Sequence, residues 1–212
     1  MFQDYISNTI LQPVQMTFDG CYLNKNITEI KSLENPENII GYQCLRLYIE
    51  HDLGTSEQIE ENFDLLWSSY GVYNYLGNIL TDSLDTVKEY WQDKNLIQFN
   101  EFLKEHPMLY TDGLYYGVEE TDRNEMNQQL SMYNAKVAAG LEPTGVQWHS
   151  KKKACTEMSI EAFLMLTAAI EQYTLPYYNL MQSRKEAIFN CEEKIDIFNV
   201  PIVYETIEAE QS

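Results

Sequence analysis

Positive charge is what this sequence has least of: 14 Lys and Arg stand against 33 Asp and Glu, a net charge of −19. A field of that sign repels phosphates and anionic lipid, so direct nucleic-acid contact or membrane attachment through a broad basic face is excluded. Cysteine is scarce and scattered. Cys21, Cys44, Cys155 and Cys191 include no C-x-x-C pair and no nearby histidine at ligand spacing, which excludes a zinc module or dithiol motif written locally and leaves buried thiols as the expectation. No stretch approaches the ~18 uninterrupted apolar residues of a membrane span. The opening Met1-Phe2-Gln3-Asp4 lacks the basic and apolar segments of a signal peptide, so a reducing cytoplasm or an assembly is the expected setting. With 9 Gly and 6 Pro there is no flexible linker, and no repeat of solenoid length is visible.

The motifs that announce chemistry are also missing. No phosphate-binding G-x-x-x-x-G-K, no G-x-G-x-x-G after a strand, no G-x-S-x-G and no H-E-x-x-H occurs. His51, His106 and His149 are dispersed, each beside a predicted loop or strand end. The acidic pairs Glu60-Glu61, Glu119-Glu120 and Glu192-Glu193 sit where helix starts and solvated faces favour carboxylates, without calcium-loop spacing. No catalytic, cofactor-binding or metal-binding residue is therefore assigned, and a non-enzymatic protein is expected.

What is present is a core. Hydrophobic residues make up 44% of 212, with 16 Tyr and 8 Phe, enough for one domain or two small ones. Acidity runs throughout: residues 1–106 carry 6 basic and 17 acidic side chains, residues 107–212 carry 8 and 16. Such even negative charge promotes solubility.

The local patterns predict an α+β chain. Loose alternation over 14–22 suggests a strand, followed by a polar Asn-rich stretch from Asn24 to Asn38, and Ile40 to Ile49 reads as a core strand through Ile40, Tyr42 and Cys44. Thr55-Ser56 opens a helix whose stripe is Ile59, Phe63, Leu66 and Tyr70, ending near Gly71 or Gly77. Thr81 or Asp82 caps another helix, broken at Asp93-Lys94-Asn95 and stopped by His106-Pro107. Asp112-Gly113 between aromatic runs marks a hairpin. Thr121 opens a helix over 121–139 that ends on Gly140. A second hairpin spans Val146 to Met158, and Ser159 caps a long helix over 159–190, kinked at Pro176. A short helix over Glu192 to Phe198 and an edge strand from Val200 to Tyr204 finish the chain. The change of pattern near 106 places a boundary there: an N-terminal mixed strand and helix module, 1–106, that anchors, and a C-terminal module, 107–212, of two hairpins and two helices.

Two features stand out as candidate partner contacts. Lys151, Lys152 and Lys153 form the only basic cluster, at a hairpin tip beside Trp148, and Tyr173, Tyr177 and Tyr178 flank Pro176, where tyrosine would bury much area at little entropic cost.

Several segments from about Phe99 to Glu205 carry a resemblance in order. They are Phe102-Leu103-Lys104-Glu105-His106-Pro107-Met108-Leu109; Asp112-Gly113 with Tyr115-Tyr116; Gln129-Leu130 and Tyr133 with Ala138-Ala139-Gly140; Val146-Gln147-Trp148; Cys155-Thr156-Glu157; and Ala168-Ala169-Ile170, Pro176, Gln182, Ile195 and Tyr204. This half of the chain resembles an uncharacterised domain family found at the C-terminus of phage and prophage proteins encoded with tail and tail-fibre genes. It departs from that pattern at Met158, where an aromatic residue is common, and at Lys151 to Lys153, where a neutral turn is typical. The resemblance implies a bacteriophage tail or tail-fibre component, or an assembly factor, located in the virion and in the host cytoplasm during assembly. Other tail or fibre proteins would be its partners, in a homo-oligomer or larger assembly; the family supplies no site residues. The acidity supports a different expectation: a phage-encoded inhibitor that imitates nucleic acid and blocks a host defence nuclease or effector.

Overall fold

A computed structural model describes residues 2–49, 53–69 and 78–207, and the chain divides into two compact units, Met1–Tyr90 with Cys191–Asn199 and Trp91–Asn190 with Val200–Ser212. The division falls at Tyr90 and not near 106. Pro107 ends a helix, whereas Phe99, Phe102 and Leu103 before it already belong to the second unit's core.

The first unit is built on an antiparallel sheet of β1 (Phe2–Ser7), β2 (Val14–Met16), β3 (Cys21–Lys31) and β4 (Ile39–Ile49), in the order β1-β4-β3-β2. Its register sets Val14, Leu23, Leu47 and Phe2 side by side, with Cys21 paired to Ile49 on the same face. Leu23 and Leu47 are fully buried there, and burial pushes the Cys21 thiol up to about 11. The strand β1, which the pattern did not announce, and the continuation of β3 into the polar stretch after Asn24 correct the sequence reading. Both are edge or solvated strands with few buried side chains, so they lack the apolar alternation that identifies a strand. Ile40 is exposed, and the core side of β4 is carried by Leu47 and Ile49.

Two short helices, α1 (Ser56–Glu61) and α2 (Phe63–Ser69), follow. Thr55 caps α1 with a reciprocal Gln58 hydrogen bond, and Asn62 separates the two. Ile59 and Leu66 are buried, while Trp67 meets Phe2 at 5.0 Å and stacks on Phe63 at 5.8 Å. Tyr70, Gly71 and Gly77 lie outside the described residues.

The helix α3 (Leu84–Glu105) is capped by Ser83, whose hydroxyl accepts from the Thr86 N–H at 3.1 Å, and not by Thr81 or Asp82. It is unbroken at Asp93-Lys94-Asn95, because Asn95 is buried with its polar atoms satisfied: its amide donates to the Met181 carbonyl and its Oδ1 accepts from Tyr204. In the second unit it is followed by the hairpin β5 (Met108–Leu109) and β6 (Tyr115–Tyr116), with Gly113 at φ +80, then α4 (Glu120–Ala138), closed by Gly140 at φ +76. The α4 start differs from a Thr121 cap: the Asp122 carboxylate accepts from the Glu119 N–H. The hairpin β7 (Val146–Trp148) and β8 (Thr156–Met158) leads into α5 (Ile160–Asn190), which runs continuously through Pro176. One apolar core, with Phe163, Leu166, Ile170 and Tyr177 from α5 against Phe99, Phe102, Met126 and Trp148, organises this unit.

The chain then returns to the first unit as α6 (Lys194–Asn199), where the Lys194 ammonium donates to the Ile79 and Leu80 carbonyls. The expected edge strand from Val200 to Tyr204 is absent; side chains hold that segment instead. Trp91 Nε1 donates to the Val200 carbonyl, Arg184 to the Val203 carbonyl, and Tyr204 is buried. Pro201, with no N–H, makes a poor ladder residue.

Candidate partner-binding surface

The seven residues expected to contact a partner do not form one surface. Trp148 is 5% exposed, edge-on to Phe163 at 5.6 Å, and Tyr177 is 3% exposed, 4.8 Å from Phe102, with its hydroxyl accepting from the Ile207 N–H. Both are core residues, which corrects their assignment. Tyr173 is half-buried and donates to the His106 carbonyl at 3.1 Å, and burial raises its pKa. Lys151 is a staple within the second unit: its ammonium donates to the Lys104 carbonyl at 2.9 Å and lies 3.6 Å from Glu119. Lys152 and Lys153 are exposed on the tight turn after Ser150, with Lys152 at φ +64, and Tyr178 is exposed on α5.

The reason for the split is helical geometry. Tyr177 and Tyr178 are adjacent, hence about 100° apart around α5, and only one of them can face the core. The solvent-facing part of α5 carries Leu164 (45% exposed), Met165 (66%) and Leu175 (51%), with Tyr178 at its margin. The sequence reading did not single out these three, although they fall outside the periodic stripe of Phe163, Leu166, Ile170 and Tyr177.

Beside this helix lie two depressions. One, of about 450 Å³, is lined by Leu96 and Phe99 of α3, Arg123 and Met126 of α4, and Ile170 and Tyr178 of α5. The other, of about 620 Å³, is lined by Gln92 of α3 and by Gln182, Lys185 and Phe189 of α5. The Arg123 Nε is buried and without a hydrogen-bond partner, as is the His149 Nδ1.

Two of the three histidines fall among the described residues. The His106 ring stacks on Phe102 at 4.2 Å with Nδ1 at the Phe102 carbonyl, and His149 lies against Trp148 at 5.2 Å, so neither ring is hydrogen-bonded to a carboxylate. His51 lies outside the described residues. Among the described residues no cluster of three or more His, Cys, Asp or Glu could hold a metal ion, and no helix is long and apolar enough to cross a membrane. The Tyr116 hydroxyl donates to Asp112 at 2.8 Å; burial, then that hydrogen bond, push it up to about 12, which keeps it neutral.

In the first unit the face of the sheet away from Leu23 and Leu47 carries an Arg46 that is 4% exposed. Its guanidinium lies 3.3 Å from the Tyr5 ring centroid and 4.6 Å from that of Tyr22, with Nε donating to Asn24 and Nη2 to Gln15. Among the described residues the ion pairs are Lys25–Asp64 and Lys151–Glu119, and the described groups around the Arg46 guanidinium are rings and amides. Comparison with protein-family models, curated proteins and solved structures returned no match.

Proposed function

We propose that this is a non-enzymatic bacteriophage protein, a structural component of the tail or tail fibre or an assembly factor for one, that acts by binding other polypeptides. The phage setting rests on the resemblance over about residues 99–205. The mode of action is supported chiefly by one observation: α5 exposes large apolar side chains, Leu164, Met165, Leu175 and Tyr178, along one side while its other side anchors the core. Apolar area at the rim of a core helix gains free energy when a protein surface covers it, at roughly 25 cal/mol per Å².

Mass spectrometry of purified particles, together with binding of the whole chain to the purified tail and fibre proteins of the same phage, tests this. The expected result is the chain in the particle or in a tail intermediate, bound to a tail or fibre protein. Its absence from both, with no tail or fibre protein bound, overturns the proposal.

A further inference from the structure

On α5, Ala168, Glu171, Leu175, Tyr178, Gln182 and Lys185 are all exposed and follow one another at alternating spacings of three and four, which makes them one continuous seam. Space lies beside it, since Glu171 and Tyr178 open onto the smaller depression and Gln182 and Lys185 onto the larger. The order of residues along the seam is self-complementary. Glu171 stands one heptad before Tyr178 and Lys185 one heptad after it, each about 10 Å along the axis. Leu175 and Gln182 flank the tyrosine more closely, and Gln182 donates to the Tyr178 hydroxyl at 3.0 Å, which fixes the ring for contact.

We propose that a second copy of this chain docks on this seam, α5 against α5 in antiparallel register, about a two-fold axis at Tyr178. Such an interface is isologous, so every contact occurs twice. Tyr178 meets its equivalent at the centre, Leu175 of each copy covers the Gln182 stem of the other, and Glu171 of each faces Lys185 of the other. A chain of net charge −19 repels its own copy at long range, so association must come from local matching of charge and shape. The inference rests on the protein-binding reading above and names one partner for it.

Sedimentation equilibrium of the full chain, with folding checked by thermal unfolding, tests the register by charge reversal. Glu171→Lys changes the net charge from −19 to −17, one negative removed and one positive added, so repulsion between whole molecules falls. On charge alone it would dimerise more tightly. In the proposed register it sets lysine against lysine twice and weakens dimerisation about tenfold or more; Lys185→Glu does the same, and the double variant E171K/K185E recovers affinity to within about threefold of the original. A chain that is monomeric at every concentration, a tighter E171K dimer, or a double variant as weak as the singles overturns the inference. A monomer leaves binding to tail or fibre proteins, measured separately, standing.

Discussion

The two units bury their polar and apolar groups in opposite ways. The second is organised around a single apolar cluster in which Phe163, Leu166 and Ile170 are 0–1% exposed, and the polar groups buried with it bond within the unit, Asn95 to Tyr204 and Met181 and Thr174 to the Ile170 carbonyl. The first divides its sheet: one side is apolar, and the other buries a guanidinium between two tyrosine rings, hydrogen-bonded to the Asn24 and Gln15 side-chain amides. Stacked rings and neutral amides can hold a buried cation, but each group then depends on its neighbours, whereas a close-packed apolar cluster spreads the load over many contacts. The contrast also separates tasks along α5, where neighbouring tyrosines serve the core and the surface.

Truncation of the second core should have the largest effect. Phe163→Ala removes a fully buried ring that contacts Trp148 and is expected to lower unfolding stability by about 3–5 kcal/mol in a denaturant titration. A loss below about 1 kcal/mol would mean that the core is loosely packed. Next comes the buried cation of the first unit. Arg46→Ala leaves Asn24 Oδ1 with a weaker set of donors and opens the space between Tyr5 and Tyr22, for a loss of about 2–4 kcal/mol. Arg46→Met puts an apolar thioether chain where the guanidinium lies between the rings and should lose less than half as much. Equal losses would show that the bonds to Asn24 and Gln15 matter more than packing between the rings.

A smaller effect belongs to pH. Tyr116 binds its proton more tightly in the folded protein, with a pKa near 12 against an ordinary value of 10.0. Its contribution is therefore complete below the unfolded pKa and disappears as pH rises from about 10 to 12. Alkaline unfolding curves should become shallower over that range in Tyr116→Phe, and an unchanged slope would remove Tyr116 from the account. The smallest effect is at the basic turn: Lys152 occupies a left-handed conformation, so Lys152→Gly should raise stability by up to about 1 kcal/mol. A loss would mean that the lysine side chain itself supports the turn.

Elements with local signals were legible in the sequence. The Asp112-Gly113 turn, the Gly140 stop, the Thr55 cap and the periodic run of α5 each declare themselves within a few residues. The strand β1 did not, because its partner β4 lies tens of residues away, and the distal half of β3 did not, because its side chains are largely solvated although its partners at the start of β4 are near in sequence. The same limit applies to the surface. The period of Phe163, Leu166, Ile170 and Tyr177 sets the buried stripe of α5 apart from Leu164 and Tyr178, but how much of the remaining side stays uncovered depends on where α3, α4 and the hairpins pack. The Lys151 to Lys153 cluster shows the reverse case: a visible run of charge whose first member is used internally, on the Lys104 carbonyl.

The central claim is that α5 uses one side for folding and another for contact with a polypeptide, and the solution mass of Tyr178→Asp, set beside that of Tyr177→Asp, tests it most directly. Tyr178→Asp should sediment as a monomer and unfold at the temperature of the original chain diluted to its monomer, while Tyr177→Asp, with a charge in the core, unfolds well below that. A Tyr178→Asp variant that keeps the original association, or that unfolds as readily as Tyr177→Asp, would contradict it.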